Sequence, residues 1–439
     1  MKNSLNRRRF IQQAGLAAGG IASMLAAGQA NASLFRRKGQ PKSPNEKLNI
    51  GVIGVTGRGG ENLKGVSSEN IVAVCDVDSA NLDKIKPTYP QARRYSDFRK
   101  LIDDGEVEAV VVSTPDHTHA VATMAALDAG LPVYCEKPLT HTVSEARAIG
   151  NKARSLNLAT QMGNQIHAGK NYRRVVELVQ SGAIGEVREA HVWVGTSWEA
   201  MPRPIEIVPV PSTLDYDLWL GPAAYRPYHP EYIPFKWRRW WAFGGGAMSD
   251  FGCHYMDLTH WALSLRYPIV VQSSGPIPHN ECAPKWMVTK YTYPARENLA
   301  GVKLTWYQGG KLPPQVEDGT VPKWGNGVLF VGEKGMLLAD YGRYLLLPEK
   351  DFAAFQAPTP FIPDSIGHHA EWILACKNGG GTGSSFDYAA ALTESVLLGT
   401  VSHRIGNKRM EWDAARMLSP NCPEAAQFVQ HEYRRGWSL

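Results

Sequence analysis

Between residues 48 and 60 an apolar run breaks into glycines: Leu48-Asn49-Ile50-Gly51-Val52-Ile53-Gly54-Val55-Thr56-Gly57-Arg58-Gly59-Gly60. No other stretch restricts the fold so strongly. Side chains branched at Cβ fit a pleated strand, and a run with little polar alternation reads as a strand covered on both faces. The glycines allow a tight turn that other residues resist, and a helical stretch continues to about Ser67. The same unit then recurs. Ile71–Val77 and Val107–Thr114 read as strands, the second stopped by Pro115; Ala120–Ala129 reads as a helix ended by Gly130; Pro132–Cys135 and Ser144–Leu156 read as a strand and a helix. Apolar strands alternating with helices predict a parallel sheet with helices on both faces.

The pattern changes around Ala159–Gln165. A helix over Lys170–Ser181 leads into Val187–Gly195, whose alternation predicts a half-buried strand. From Thr196 to Phe243 the chain is rich in Trp, Tyr and Pro. Lys285–Tyr293, Gly301–Tyr307, Gly327–Val331 and Met336–Asp340 read as antiparallel strands with polar turns, and helices return at His369–Lys377 and Tyr388–Ser402. The expected organisation is an α/β domain over 48–167 and an α+β domain over 168–439 with an open, mainly antiparallel sheet.

The first 47 residues stand apart. They hold nine basic residues against one acid, out of a formal net charge of +6, which leaves residues 48–439 at −2. A near-neutral folded part carries no electrostatic footprint for nucleic acid. Asn6-Arg7-Arg8-Arg9-Phe10-Ile11 resembles the twin-arginine export signature, and the apolar run Ala14–Ala27 and the small-residue site Ala30-Asn31-Ala32 follow it. Residues 1–32 are therefore read as a signal peptide for the twin-arginine export machinery, 33–47 as a linker, and the mature protein as periplasmic or otherwise extracytoplasmic. Six widely spaced cysteines form no Cys-x-x-Cys pair, and no disulfide is expected to be required.

The glycine turn aligns as Gly54-x-Thr56-x-x-Gly59, with Thr where the dinucleotide fingerprint usually has its second Gly; Gly57 next door supplies clearance instead. A strand before and a helix after give the turn its context, because helix N-terminal amides favour phosphate. Arg58 adds a charge-assisted contact. Asp76 ends the next strand about 20 residues on, where an acid accepts ribose hydroxyls and repels a 2′-phosphate, favouring NAD over NADP. The alternative for Asp76 is a strand-end turn cap.

Three clusters follow at strand carboxyl ends, the ligand face of such a sheet. They are Ser113-Thr114-Pro115-Asp116-His117-Thr118-His119, Glu136-Lys137-Pro138, and Gly244 to Asp257 with Asp250 four residues before His254. At these residues the chain resembles the Gfo/Idh/MocA family, and the run from Phe386 to Asp413 resembles its exported members. The resemblance spans nearly all of 48–415. It implies an NAD-binding Rossmann domain, a C-terminal sheet often used for oligomerisation, hence a homo-oligomer, and pyranose or cyclitol substrates. It places Thr114, Pro115, His119, Glu136 and Lys137 against the cofactor; Thr56 is the main departure.

Chemistry points the same way. Oxidising a secondary alcohol needs a base for the hydroxyl proton and a cation to stabilise developing alkoxide. On a helix over 250–262 capped by Ser249, Asp250, His254, Asp257 and Trp261 share one face. His254 suits the base, Asp250 orients it or holds a neighbouring hydroxyl, and Lys137 polarises the reacting oxygen. Asp257, Trp237 and Arg238 are candidate substrate contacts. Each has a plainer reading: Lys137 a surface lysine, Asp250 and His254 a helix-surface pair or metal ligands with Asp257 or His260, His117 and His119 helix caps. No metal is expected, since no further His or Cys has ligand spacing. The stretch Trp219, Tyr225, Tyr228, His229, Tyr232, Trp237, Trp240 and Trp241, with Arg226, Arg238 and Arg239, suits sugar stacking, or a packed loop or subunit contact.

The leading expectation is an NAD-dependent oxidoreductase acting on a secondary hydroxyl of a sugar, glycoside or cyclitol, its cofactor tightly held and recycled within each cycle. Alternatives are a redox-neutral, NAD-requiring glycoside hydrolase or lyase acting through a transient keto-sugar, and a non-catalytic binding protein for sugar or NAD.

Overall fold

The computed structural model describes residues 45–198 and 200–439. The signal peptide read over 1–32, and most of the linker read over 33–47, lie outside the described residues.

The first sheet holds six strands: β1 (Asn49–Ile53), β2 (Asn70–Cys75), β3 (Arg93–Tyr95), β4 (Ala109–Val112), β5 (Val133–Glu136) and β6 (Thr160–Gly163). All neighbours pair in parallel, in the order β3-β2-β1-β4-β5-β6. The order reverses beside β1, which opens a crevice between the carboxyl ends of β1 and β4. β4 and β5 are buried along their whole length, as unbroken apolar runs require. β3 carries no strand signal in the sequence, since Arg93-Arg94-Tyr95 has no apolar run at all. Thr160-Gln161-Met162-Gly163, where the sequence pattern changes, is polar and yet forms the buried sixth strand. Its polar groups are satisfied by residues far along the chain: Gln161 Nε2 donates to the His368 carbonyl (2.6 Å) and the Phe386 N–H donates to Thr160 Oγ1 (3.0 Å).

The second sheet has eight strands: β7 (Val187–Val194), β8 (Val270–Ser274), β9 (Met287–Tyr293), β10 (Val302–Gln308), β11 (Gly327–Gly332), β12 (Gly335–Ala339), β13 (Tyr344–Leu347) and β14 (Arg409–Glu411). Their order is β13-β12-β11-β7-β10-β9-β8-β14, antiparallel throughout except for β7 against β10. The expected half-buried β7 is central, and Ala190 to Val194 are buried. Val192 and Val194 join the main core on one side, while Trp193 meets Leu329, Leu338 and Trp324 on the other.

The two bodies are stitched by the C-terminal half of the chain. Helix His368–Asn378 lays Trp372, Ile373, Ala375 and Cys376 against Leu48, Ile50 and Val52 of the first sheet, although it falls beyond the sequence boundary at 167. Helix Phe386–Arg404 crosses helix Val143–Leu156 closely: a Cβ on Gly150 would stand 2.7 Å from the Ala390 methyl. Helix Val143–Leu156 starts at a reciprocal cap, Thr142 accepting from the Glu145 N–H while Glu145 accepts from Thr142 N–H, and ends at Asn157 with φ 50°. All six cysteines are buried and free.

Candidate active site

The glycine turn is built by close approach. Gly54 has φ +81°, and a Cβ there would lie 2.6 Å from the Ser113 carbonyl oxygen; one on Gly59 would lie 2.1 Å from the Gly54 oxygen. Gly54 thus lets β1 pass the β4 end, and Gly59 lets helix Arg58–Gly65 close onto the turn. No side chain caps this helix, and a Cβ on Gly57 (φ +56°) would meet nothing within 4 Å. Open space therefore faces a helix N-terminus with its amide donors, the setting a pyrophosphate requires. Thr56 fits there without displacing backbone, since Gly57 carries the clearance.

At the β2 end, Asp76 accepts from the Val55 N–H (3.2 Å), the Asp78 N–H (3.0 Å) and Asn81 Nδ2 (3.2 Å). Burial raises its pKa, and these three donors oppose the rise. The turn-capping and ribose-binding readings of Asp76 are thus compatible, because its carboxylate tethers the glycine turn and still lines the cleft.

The cleft itself is a cavity of about 1150 Å³, beyond the roughly 300–1,000 Å³ usual for a single small ligand. Gly54, Thr56, Gly57, Arg58, Asp76, Thr114, Pro115, Glu136, Lys137, Trp237, Arg238, Asp250 and His254 all line it. The volume and the lining fit a dinucleotide together with a second, sugar-sized molecule.

Lys137 follows β5, at the sheet's carboxyl edge, and reaches helix Gly246–Ala262 in the other body. Its Nζ donates to Asp250 Oδ1 at 2.8 Å and to the Asp250 carbonyl at 2.5 Å. Arg238 Nε donates to the same Oδ1 at 3.2 Å, and its guanidinium lies 4.3 Å from the Trp237 ring centroid. Burial pushes the Asp250 carboxyl up, but the two cations outweigh it and hold it at about 2. His254, one turn on, also lines the cleft. Burial, reinforced by Lys137, pulls its imidazole down to about 3, so it is neutral, and its Nδ1 has no partner.

Several expectations are corrected by this geometry. The helix begins at Gly246, with Gly245 as its cap position, so Ser249 lies inside the first turns and is not the cap. Asp250 does not orient His254 by a hydrogen bond; it is engaged by Lys137 and Arg238. Asp257 does not line the cleft. It sits at 0 % exposure, holding His167 Nδ1 at 3.0 Å and the Tyr388 hydroxyl at 2.7 Å, while Trp261 stacks on His167. Seven positions turn the side chain only about 20° from Asp250 but carry it about 10 Å along the helix axis, away from the cleft and into contact with His167 and Tyr388. His119 is a strut: its Nδ1 lies 2.7 Å from the Pro138 carbonyl and its Nε2 2.8 Å from the Thr114 carbonyl, and the one N–H of the neutral ring donates to one of them between the first two clusters. His117 likewise bonds the Trp219 carbonyl at 2.8 Å. Gly59 shapes the turn without lining the cavity. Among the described residues no cluster of three or more metal-ligating side chains occurs.

The aromatic stretch divides between both its readings. Trp219, Tyr232, Trp237 and Trp240 form a packed cluster with Phe243, yet Trp219, Tyr228, Trp237 and Arg238 also show a surface to the cleft. Glu136 forms part of the cleft floor and is otherwise buried, its carboxyl raised by burial and held by Asn62 (2.9 Å) and Gln165 (2.8 Å). Gly163 leaves it room, since a Cβ there would stand 2.5 Å from Glu136 Oε1. Asp116, in the first cluster, has no role that the sequence pattern assigns. It opens helix Asp116–Asp128, lines the cleft, and is pushed up to about 8 by burial, against Lys137 and Arg238. Tyr341, from the turn after β12, faces His254 with ring centroids 6.3 Å apart, and no local pattern marked it.

Known proteins agree with this architecture. The profile of an oxidoreductase family with an NAD-binding Rossmann fold matches residues 48–164, and that of the same family's C-terminal alpha/beta domain matches 169–300. An inositol 2-dehydrogenase of Salmonella paratyphi B is 31% identical over 150 residues, 33% of this chain and 45% of that protein. A glycosyl hydrolase family 109 protein of Solibacter usitatus is 34% identical over 197 residues, 42% of this chain and 44% of that protein. The chain thus spans less than half the length of these curated relatives. The WlbA dehydrogenase of Bordetella pertussis, solved with NADH and UDP-GlcNAcA, shares the fold with a TM-score of 0.59 at 17% identity, over 84% of this chain and 99% of that one. With the two domain profiles together matching more than half of its length, the chain belongs to the Gfo/Idh/MocA family of oxidoreductases.

Proposed function

We propose that this protein is an NAD-dependent oxidoreductase acting on a secondary hydroxyl of a sugar, glycoside or cyclitol. One observation carries the reading. Lys137 from the nucleotide-binding body and Asp250 and His254 from the other line one cleft with the glycine turn. Inositol 2-dehydrogenases among its relatives, and a dehydrogenase of the same fold solved with NADH and UDP-GlcNAcA, support the substrate class.

Gly54, Thr56, Gly57 and Arg58 would hold the pyrophosphate and Asp76 the adenosine ribose. When bound, NAD supplies a hydride acceptor, which no protein side chain can furnish. The residues handle the proton. Neutral His254 accepts it from the hydroxyl, and Lys137 donates to the oxygen as its negative charge develops. Asp250, ionised and fixed by Arg238, aims the ammonium and offsets the charge on His254 as it protonates. Trp237 and Trp219 offer apolar faces to the ring of a sugar.

The arginine pair near the N-terminus supports export in folded form, and hence an extracytoplasmic enzyme; the C-terminal sheet, often used for oligomerisation in the family, supports a homo-oligomer. Free dinucleotide is not replenished there. The cofactor is then carried through export and reset within each cycle, either by coupled oxidation and reduction of two sugars or by a redox-neutral reaction. The glycosyl hydrolase relative favours a second reading, glycoside cleavage through a transient keto-sugar. Purified mature protein offered free sugars and p-nitrophenyl glycosides separates the two. Net reduction of bound NAD by a free sugar supports the first; phenol release without net NADH supports the second. Neither signal, with NAD bound, refutes both.

A further inference from the structure

A segment that the chemistry above does not use roofs the outer end of the cleft. After the last helix the chain turns back as His431-Glu432-Tyr433-Arg434-Arg435-Gly436-Trp437. Arg434 anchors it: its N–H donates to the Pro222 carbonyl (3.0 Å), its Nε to the Gly221 carbonyl (3.1 Å) and a terminal nitrogen to the Asp217 carbonyl (2.8 Å), while the guanidinium also pairs with the Asp217 carboxylate. Tyr433 donates to Glu145 at 2.6 Å, a second anchor in the nucleotide-binding body. The Trp437 N–H closes a turn onto the Arg434 carbonyl (3.1 Å) through Gly436, whose φ is +90°.

The turn delivers the Trp437 indole to the cleft. Its ring centroid is 6.0 Å from that of Phe98, and the Arg99 guanidinium lies 4.9 Å from it. On its other side its Cη2 is 3.9 Å from where a Gly221 Cβ would stand. Trp437 therefore bridges the residues after β3 and the end of helix Tyr216–Leu220, one from each body. It lines the cavity beside Ser96, Phe98 and Leu218 and remains half-buried. In a dinucleotide held by the glycine turn, the ribose meets the acid ending β2, and the base lies beyond it across the neighbouring strand ends. Here those positions are Asp76 and then Ser96 to Phe98, where Trp437 stands.

We propose that Trp437 forms the outer wall of the adenine site, and that residues 433–437 are a clasp retaining the dinucleotide. The inference rests on NAD occupying the cleft and not on the identity of the substrate. Aromatic stacking on a base, lost on truncation, changes its retention about 5- to 150-fold. The test is release of NADH from the loaded, full-length mature chain, followed by its fluorescence under a chase of excess NAD, for wild type, Trp437→Ala and Trp437→Phe. Reduced nicotinamide mononucleotide, which lacks adenosine, is run in parallel. Release of NADH at least fivefold faster from Trp437→Ala, near wild type from Trp437→Phe, with the mononucleotide unchanged, supports the clasp. A change below fivefold, or equal acceleration of the mononucleotide, overturns it. Wild type that holds no NADH at all refutes instead the occupancy on which the inference rests.

Discussion

Replacing Lys137 by Met isolates the cation of the proposed site while keeping most of its volume. In the present structure the ammonium lies 2.8 Å from Asp250 Oδ1, with Lys137 and Asp250 side chains only 11% and 14% exposed. Breaking a buried pair typically costs about 3–5 kcal/mol, because one charge is left uncompensated. Arg238 remains on the same oxygen at 3.2 Å, and the site opens to a cleft, so a stability loss of about 1–3 kcal/mol is expected. The Asp250 carboxyl, now opposed by one cation instead of two, rises from about 2 because burial is the largest influence on it. Catalysis suffers more than stability. Loss of the group that stabilises developing alkoxide lowers kcat by about 10²–10⁴, which is roughly 3–5 kcal/mol of barrier at 1.36 kcal/mol per decade. Lys137 stands at the reacting end of the proposed cofactor site and not at its pyrophosphate or ribose, so NAD affinity falls less than kcat. The assay is reduction of bound NAD by whichever sugar the parent oxidises, read at fixed NAD saturation beside a thermal melt. Turnover within tenfold of the parent, in a variant that still melts cooperatively, refutes the role given to Lys137.

Three further perturbations test other parts of the site. Asp76→Ser relaxes repulsion of a 2′-phosphate, and the preference for NAD over NADP in titrations falls at least tenfold; an unchanged ratio contradicts the ribose assignment. Gly59→Ala places a methyl where 2.1 Å separates it from the Gly54 oxygen, costing about 1–3 kcal/mol by overpacking and weakening NAD binding, whereas a melt equal to wild type shows that the helix need not approach the turn. Asp116, held near 8 in the folded protein, keeps a proton that the unfolded chain releases near its ordinary carboxylate value. Native stability therefore falls as pH rises from about 4 to 8, by at most about 6 kcal/mol. Asp116→Asn abolishes this loss, so its melting temperature relative to the parent climbs between pH 5 and pH 8.5; a difference independent of pH refutes the raised carboxyl.

The parallel sheet, the glycine turn and the three clusters were legible in the sequence. They depend on local rules: apolar runs at strand length, glycines where backbone must pass backbone, and an acid ending the next strand. β4, β5 and the helix over Val143–Leu156 lie within two residues of their expected ends for that reason. Tertiary structure alone decided the rest. Polar β6 is a strand because residues 367–386 return to satisfy it, and nothing within Thr160–Gly163 announces partners 200 positions away. Asp257 left the site and Asp250 turned from His254 to Lys137, because side-chain partners are chosen by what packs across the cleft and not by spacing along one helix. His119 became a strut through two carbonyls from different loops. Local sequence dictates which elements form, since backbone sterics and side-chain patterning act over a few residues. Which polar groups meet is settled only when distant elements are buried together, where each donor must find an acceptor.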